Sequence, residues 1–193
     1  CDFDWTPDIR KRARRLMSDC HTDDEKFRSI FSFVKELPYG LDDWDVKASQ
    51  TLSKGWGMCS GKTNLLVALL RCSGIPARYR LYAIRSEPKF WEKVAEFGIP
   101  EPAMGYKPIE QDHVDCEVWL GEWLACDPAR DGALERGLLK LGIPLERRLV
   151  LDSNGKIPYL RLACFDEWAR ERQERRKFRE GRGETFAKIN KIF

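Results

Sequence analysis

The chain has 193 residues, of which 34 are Lys or Arg and 31 Asp or Glu, for a formal charge of +3 at pH 7. That length suits one domain with a core of its own, and 42% hydrophobic against 34% charged residues is ordinary globular composition. No apolar stretch reaches the roughly 20 residues a membrane span needs, and the small net charge gives no bulk reason for nucleic-acid or membrane-surface binding.

Cysteine usage narrows the chemistry further. The seven cysteines, Cys1, Cys20, Cys59, Cys72, Cys116, Cys126 and Cys164, are odd in number and include no C-x-x-C pair. Neither a zinc knuckle nor a thioredoxin-like site is supported. With His21 and His113 the only histidines, a histidine-rich metal site is not expected either. Scattered thiols read as reduced, which points to the cytoplasm. No signal peptide is visible, although the chain opens at Cys1 rather than Met and a removed leader stays open.

In chain order, Thr6-Pro7-Asp8 is a helix start, with a capping hydroxyl and proline at the first helical position. This helix, within 6–20, carries Arg10, Lys11, Arg12, Arg14 and Arg15, a basic run that reads as a solvated face. His21 reads as a surface or capping residue. Thr22 to Glu25 forms a capping box for a second helix, whose Phe27, Ile30, Phe31, Val34 and Leu37 make one core-facing stripe. Pro38 and Gly40 end it. Asp42 to Lys54 is a polar connector with one helical turn around Ala48 to Leu52, flanked by Trp44 and Trp56.

The segment Gly55 to Arg80, GWGMCSGKTNLLVALLRCSGIPARYR, has a different character. A glycine-rich turn delivers Cys59, and Leu65 to Leu70 leave little polar surface, so the helix that begins there is covered on most sides. Gly74 and Pro76 stop it, and Arg78 to Ile84 reads as a strand. Cys59 at the start of that helix meets free backbone N–H groups and the positive end of the dipole, which favour an anion; the thiolate is the nucleophilic form of cysteine. Lys62 and Asn64 follow closely and read as packing or capping residues.

Ser86 to Asp112 is the least regular stretch, with a short amphipathic helix over Phe90 to Phe97 and Pro88, Pro100, Pro102 and Pro108 as breakers. It reads as a substrate loop leading into His113. His113 to Leu120 then alternates as a strand, with Val114, Cys116, Val118 and Leu120 on one face and His113, Asp115, Glu117 and Trp119 on the other. Trp123 to Asp127 returns, stopped by Pro128. Arg130 to Leu151 holds a short helix and a strand, Asp152 to Gly155 a turn, and Phe165 to Arg179 a charged, solvent-facing helix with internal ion pairs. The tail residues Phe186, Ile189, Ile192 and Phe193 are expected to dock back.

Cys59, His113 and Asp127 are thus a candidate nucleophile, base and orienter. A thiol attacking a carbonyl needs a base in hydrogen-bond reach, and the base needs an acceptor on its other nitrogen to fix the tautomer. The chain also resembles a known family at these residues. KASQTLSKGWGMCSGKTNLLVALLRCSGIPAR resembles the nucleophile region of the transglutaminase-like superfamily, and DHVDCEVWLGEWLACDPARD its histidine–aspartate region. The resemblance covers about residues 22–130, leaving the helix at 6–20 and the charged helix and tail at 165–193 as extensions of a single domain. It implies an α+β, papain-like fold in which the nucleophile's helix packs on an antiparallel sheet. It also implies that Cys59 is the nucleophile, His113 the general base and acid, and Asp127 the orienter.

Two details follow. A two-residue hairpin at Gly121-Glu122 would set Cys116 opposite Asp127 and turn His113 and Asp127 to opposite faces. A triad therefore requires an odd-length loop or a bulge between Trp119 and Trp123. For the oxyanion, the Cys59 N–H is a natural donor, and the second is expected from Gln50 or from the indole of Trp44 or Trp56. The function implied is thiol-dependent acyl transfer on a peptide, protein or small amide, by hydrolysis in preference to amine transfer, with no metal or organic cofactor. No acidic calcium loop is visible. The alternatives are a non-catalytic binding module on the same fold and a nucleic-acid binder using the basic arms.

Overall fold

The computed structural model describes residues 4–96, 110–176, 186–188 and 190–191. Within them the chain adopts the expected α+β arrangement: helices against one antiparallel sheet. α1 (Pro7–Leu16) is capped by Thr6, whose hydroxyl accepts the Ile9 amide, and α2 (Asp23–Lys35) by the complete Thr22/Glu25 box. The stripe on α2 packs as its spacing requires, with Ile30 and Val34 fully buried and Phe27, Phe31 and Leu37 beside them. α3 (Ala48–Lys54) is two residues longer than the expected turn and ends on Gly55 at φ +72°, a left-handed cap that glycine takes without strain.

α4 (Cys59–Cys72) is the central helix. Cys59 to Thr63 and Leu65 to Leu70 are buried, and Ile75 N–H closes the end by donating to Leu70 C=O across Gly74. α1, α2 and the sheet surround it, which is why so little polar surface was needed in its sequence.

The sheet runs β3-β2-β1-β4, all antiparallel, from β1 (Ala77–Arg85), β2 (Glu110–Trp119), β3 (Trp123–Cys126) and β4 (Arg148–Leu149); β5 (Leu160–Leu162) also pairs with β1. β5 lies beyond the strands expected from sequence. β2 is buried on both faces. Val114, Cys116 and Val118 enter the hydrophobic core, while the alternate face buries paired charges instead of meeting water. There the Arg80 guanidinium forks onto both oxygens of Asp115 at 2.8 and 2.7 Å, and Glu117 accepts from Arg78 and Arg161.

Several expectations are revised. Pro88 does not break a helix; it starts α5 (Pro88–Glu96), as its fixed φ allows. The rest of the expected loop, 97–109, lies outside the described residues. α6 (Gly132–Lys140) is capped by Asp131, which accepts the Ala133 and Leu134 amides. α7 (Asp166–Arg176) is not simply solvent-facing. Phe165, Ala169 and Gln173 are buried, and the Gln173 amide accepts from Trp44 N–H and donates to Asp43. In the tail, Asn190 pairs with both backbone groups of Leu41, whereas Ile189, Ile192 and Phe193 lie outside the described residues. Cys164 is disulfide-bonded, so the expectation of reduced thiols fails at that residue. No helix among the described residues is long and apolar enough to cross a membrane.

One buried polar side chain ties these elements together. Lys62 on α4 is fully buried, and its Nζ donates to the carbonyls of Lys35 at 3.0 Å and Leu37 at 2.6 Å. These carbonyls close the C-terminal end of α2, where intrahelical partners run out. Burial pulls the Lys62 pKa down to about 8, against an attraction from Asp131 that raises it. The unfolded chain thus holds more protons than the native one between about 8 and 10.5, and Lys62's contribution to stability rises with pH across that window. Lys62→Met leaves the carbonyls unpaired and is expected to cost ~1–3 kcal/mol at pH 7, with the pH-dependent rise lost. Urea unfolding at pH 7, 8 and 10 measures both, and an unchanged midpoint would remove Lys62 from this role.

Candidate active site

Three elements converge on one cavity. Its wall includes Cys59 at the head of α4, His113 in β2, Tyr39 after α2, Trp44, and Arg130 and Arg147 beyond β3. Cys59 opens its helix directly after Gly57-Met58, and that turn is fixed by a backbone bridge: Gly57 N–H donates to Pro38 C=O, and Gly40 N–H to Gly57 C=O. The same bridge carries Tyr39 to the cavity, close enough to Cys59 to interact electrostatically. Thr63, one turn along α4, donates its hydroxyl to Val114 C=O at 3.2 Å and so anchors the helix beside His113.

The β2–β3 register decides whether the aspartate can join. Trp119 pairs with Trp123, Val118 with Leu124 and Cys116 with Cys126, which leaves residues 120–122 as a three-residue loop. This is the odd length required, and Gly121 adopts φ +87° within it. Asp127 therefore leaves β3 on the face of β2 that carries Asp115 and His113. His113 Nε2 lies 3.0 Å from Asp127 Oδ2, and the Cys59 thiol shares the cavity with the same imidazole and interacts with it. With Nε2 turned to Asp127, Nδ1 is the nitrogen left for Cys59. The structure thus brings Cys59, His113 and Asp127 together.

Asp127 has further partners that the sequence did not reveal. Arg147 donates through Nε at 2.8 Å and Nη2 at 2.6 Å to Oδ2, and Ala129 N–H donates to Oδ1 at 2.9 Å. Burial alone would raise the Asp127 pKa. The His113 charge and hydrogen bond, then Arg147 and the Ala129 amide, override it and hold the carboxyl far below the usual range. For His113, burial pulls the pKa down and Asp127 pulls it up; Arg147 opposes Asp127, and hydrogen bonds from Asp127 and Cys59 add to the rise. The balance lies at about 9. Tyr39 is pushed up by burial first and by Cys59 next, which keeps its phenol protonated at neutral pH.

The residues expected to supply a second oxyanion donor separate. Trp44 is buried and lines the cavity. Gln50 is exposed, and its side chain accepts from Lys47 N–H at the start of α3, so the structure does not bring it to Cys59. Trp56 is outside the cavity wall; its ring packs against Gly40 and lies under the Lys54 ammonium. Neither Lys62 nor Asn64 reaches the site: Asn64 joins Val46 C=O to the Tyr79 hydroxyl.

His113, Asp115 and Asp127 place three potential metal-ligand atoms within 4.8 Å of one another. Cations already occupy the carboxylates, since Asp115 accepts the Arg80 fork and Tyr82 hydroxyl, and Asp127 accepts Arg147. The donor set is thus a hydrogen-bonded network in which a divalent ion would displace two guanidinium groups.

The electrostatic opposition between Arg147 and His113 is directly testable. With two histidines in the chain, imidazole NMR resonances are readily assigned. His113 is expected to titrate near 9. Arg147→Met removes the cation that opposes its protonation and should move the midpoint up by about 1 unit. A midpoint that stayed put or fell would contradict the role given to Arg147. Because the folded pKa is raised from 6.5, stability from this contact is complete below that value and declines as pH rises through about 9.

The family comparison agrees with the architecture. The model of the Transglutaminase-like superfamily matches residues 10–128. Similar solved structures include that of a putative cysteine protease from Cytophaga hutchinsonii, 20% identical, with a TM-score of 0.46 over 67% of this chain and 38% of that one. Another is a putative protease from Parabacteroides distasonis, 13% identical, with a TM-score of 0.42 over 65% of this chain and 25% of that one. The chain therefore spans less than half the length of either. A search of curated proteins finds no match.

Proposed function

Because the chain belongs to the transglutaminase-like superfamily, we propose that it is a thiol-dependent acyl-transfer enzyme, with Cys59 as nucleophile, His113 as general base and acid, and Asp127 as orienter. The observation that carries this reading is the His113–Asp127 hydrogen bond in the cavity that also holds the Cys59 thiol, at the head of a buried helix. Cysteine paired with imidazolium supplies thiolate without an external base.

In the proposed reaction the Cys59 sulfur bonds to the carbonyl carbon of a peptide or amide, and the carbonyl π electrons move onto oxygen. The Cys59 N–H faces that oxygen from the helix start, where no intrahelical acceptor competes for it; Trp44 is the second-donor candidate that shares the cavity. As the oxyanion collapses, the C–N bond breaks and His113 Nδ1 gives its proton to the departing amine. This leaves a thioester and a neutral imidazole. The imidazole then takes a proton from water, whose oxygen attacks the thioester, and the acid leaves as Cys59 regains its thiolate.

We favour hydrolysis over amine transfer, because Arg147, which interacts electrostatically with Cys59, disfavours a cationic acceptor such as a lysine side chain. Peptide, protein and small-amide substrates all fit this chemistry. The compartment expected from free thiols, the cytoplasm, fits less well with a disulfide at Cys164.

Iodoacetamide at neutral pH should label Cys59 ahead of Cys20, Cys72, Cys116 and Cys126, the other free thiols among the described residues. His113→Ala should slow that labelling at least about 100-fold. Incubation with glutamine peptides and simple amides, with and without an added amine, should give a thioester adduct by mass spectrometry that Cys59→Ala abolishes. Labelling indifferent to His113→Ala, with no adduct from any donor, would leave a binding module on this fold.

A further inference from the structure

The cavity that holds Cys59 and His113 is also lined by five arginines, Arg85, Arg130, Arg147, Arg148 and Arg172. Four of them have carboxylate partners. Arg85 bonds Glu110, Arg147 bonds Asp127, Arg148 lies 3.5 Å from Glu87, and Arg172 bonds Asp112. Arg130 differs. Its guanidinium donates through Nη1 to the Leu145 carbonyl at 2.5 Å, and no carboxylate among the described residues forms an ion pair with it. It is half-buried, so water does not fully substitute for a missing anion.

The surroundings sharpen the imbalance. Arg130 and Arg147 repel each other, and both feel the field of the Asp127 carboxylate, with Glu135 acting on Arg130 without an ion-pair contact. Asp127 also serves His113. The backbone of Arg130 is held from two sides: Ala129 N–H bonds Asp127 Oδ1, and Arg130 C=O accepts Lys35 Nζ at 2.5 Å. A guanidinium fixed in this way, with donors left over, is preorganised for a planar carboxylate. Leu134, Leu138 and Ile143 contribute apolar wall to the same cavity.

We propose that Arg130 forms a carboxylate-binding subsite of this cleft, so that the preferred acyl-transfer substrate carries a free carboxylate close to the scissile amide. The inference rests on the acyl-transfer reading for its mechanism but not for its binding. Carboxylate is the shared chemistry of two sources, a peptide C-terminus and an acidic side chain. Four peptides separate them, combining a C-terminal acid or amide with Glu or Gln beside the scissile bond.

Binding is measured to the full-length Cys59→Ala protein by calorimetry, and turnover to wild type by mass spectrometry. At least one carboxylate-bearing peptide should bind and react about 10- to 100-fold better than its neutral partner, with the advantage shrinking at high ionic strength. Arg130→Gln should bring that ratio close to 1. Arg130→Lys, which keeps the charge and a donor for Leu145, should retain part of it, and circular dichroism melts establish that both variants fold. Equal binding of acid and neutral peptides, or a ratio unaffected by Arg130→Gln, overturns the subsite while leaving acyl transfer standing. Selective binding of the acids without any thioester adduct keeps the subsite and removes the acyl-transfer reading.

Discussion

The Asp127 carboxylate accepts from the His113 imidazole and from two nitrogens of Arg147 on one oxygen, while its other oxygen takes the Ala129 amide. Each contact answers a cost imposed by burial. A half-buried carboxylate needs donors to stay ionised, and an imidazole this buried would lose its proton without an anion beside it. Arg147 acts in both directions. It fixes the carboxylate's orientation through charge-assisted bonds, and its positive charge limits how far Asp127 can raise the imidazole's affinity for a proton. Under the proposed reading, a general acid held near 9 is protonated at neutral pH yet not so basic that it cannot release the proton to a departing amine.

That contact depends in turn on where the sheet puts Asp127. Strand alternation has a period of two, so the parity of the 120–122 loop alone decides which face the residue after Cys126 occupies. Cys59 has to arrive from the opposite direction, and rigid links locate it. The Tyr39–Gly57 bridge sets the turn that delivers the thiol, and Thr63 bonds the carbonyl of the residue after His113. Lys62 joins α4 to the end of α2, from which Tyr39 emerges. Cys59 and His113 are therefore placed by elements that also form the core, and a shift of α4 would move one relative to the other.

Much of this was legible in the sequence because it rests on short-range signals. Thr6 and Thr22 announce their helices through hydroxyls that satisfy nearby amides, Gly74 announces a stop, and the unbroken apolar run Leu65 to Leu70 announces a covered helix. The parity requirement could also be deduced before the register was seen, since it follows from alternation. What escaped was carried by distant pairings. Arg147 sits in the charged run Glu146-Arg147-Arg148, where nothing local distinguishes a triad partner from a solvated side chain. Tyr39 looked like part of a helix stop. Gln50 looked like a candidate donor because of its place upstream of Cys59, but its local role as the capping partner of α3 uses its side chain. In α7 a highly charged sequence hid a buried face of Phe165, Ala169 and Gln173, because one apolar side per turn is a weak pattern among so many Arg and Glu.

Under the proposed reading, the charge around Asp127 also bears on which acceptor resolves the thioester. After the first half-reaction the thiolate is consumed and the imidazole is neutral, while the guanidinium of Arg147 stays close to the former thiolate. A lysine-type acceptor approaching as an ammonium ion would meet that guanidinium and would have to shed a proton as well. Water brings no charge into the cavity, and its proton passes to the neutral His113 nitrogen that has just been vacated. In a cavity with apolar walls the repulsion of a cation is screened less than it would be at an open surface. On that reading the arginine that steadies the aspartate biases the same site toward hydrolysis, so that orientation of the base and choice of acceptor share one electrostatic origin.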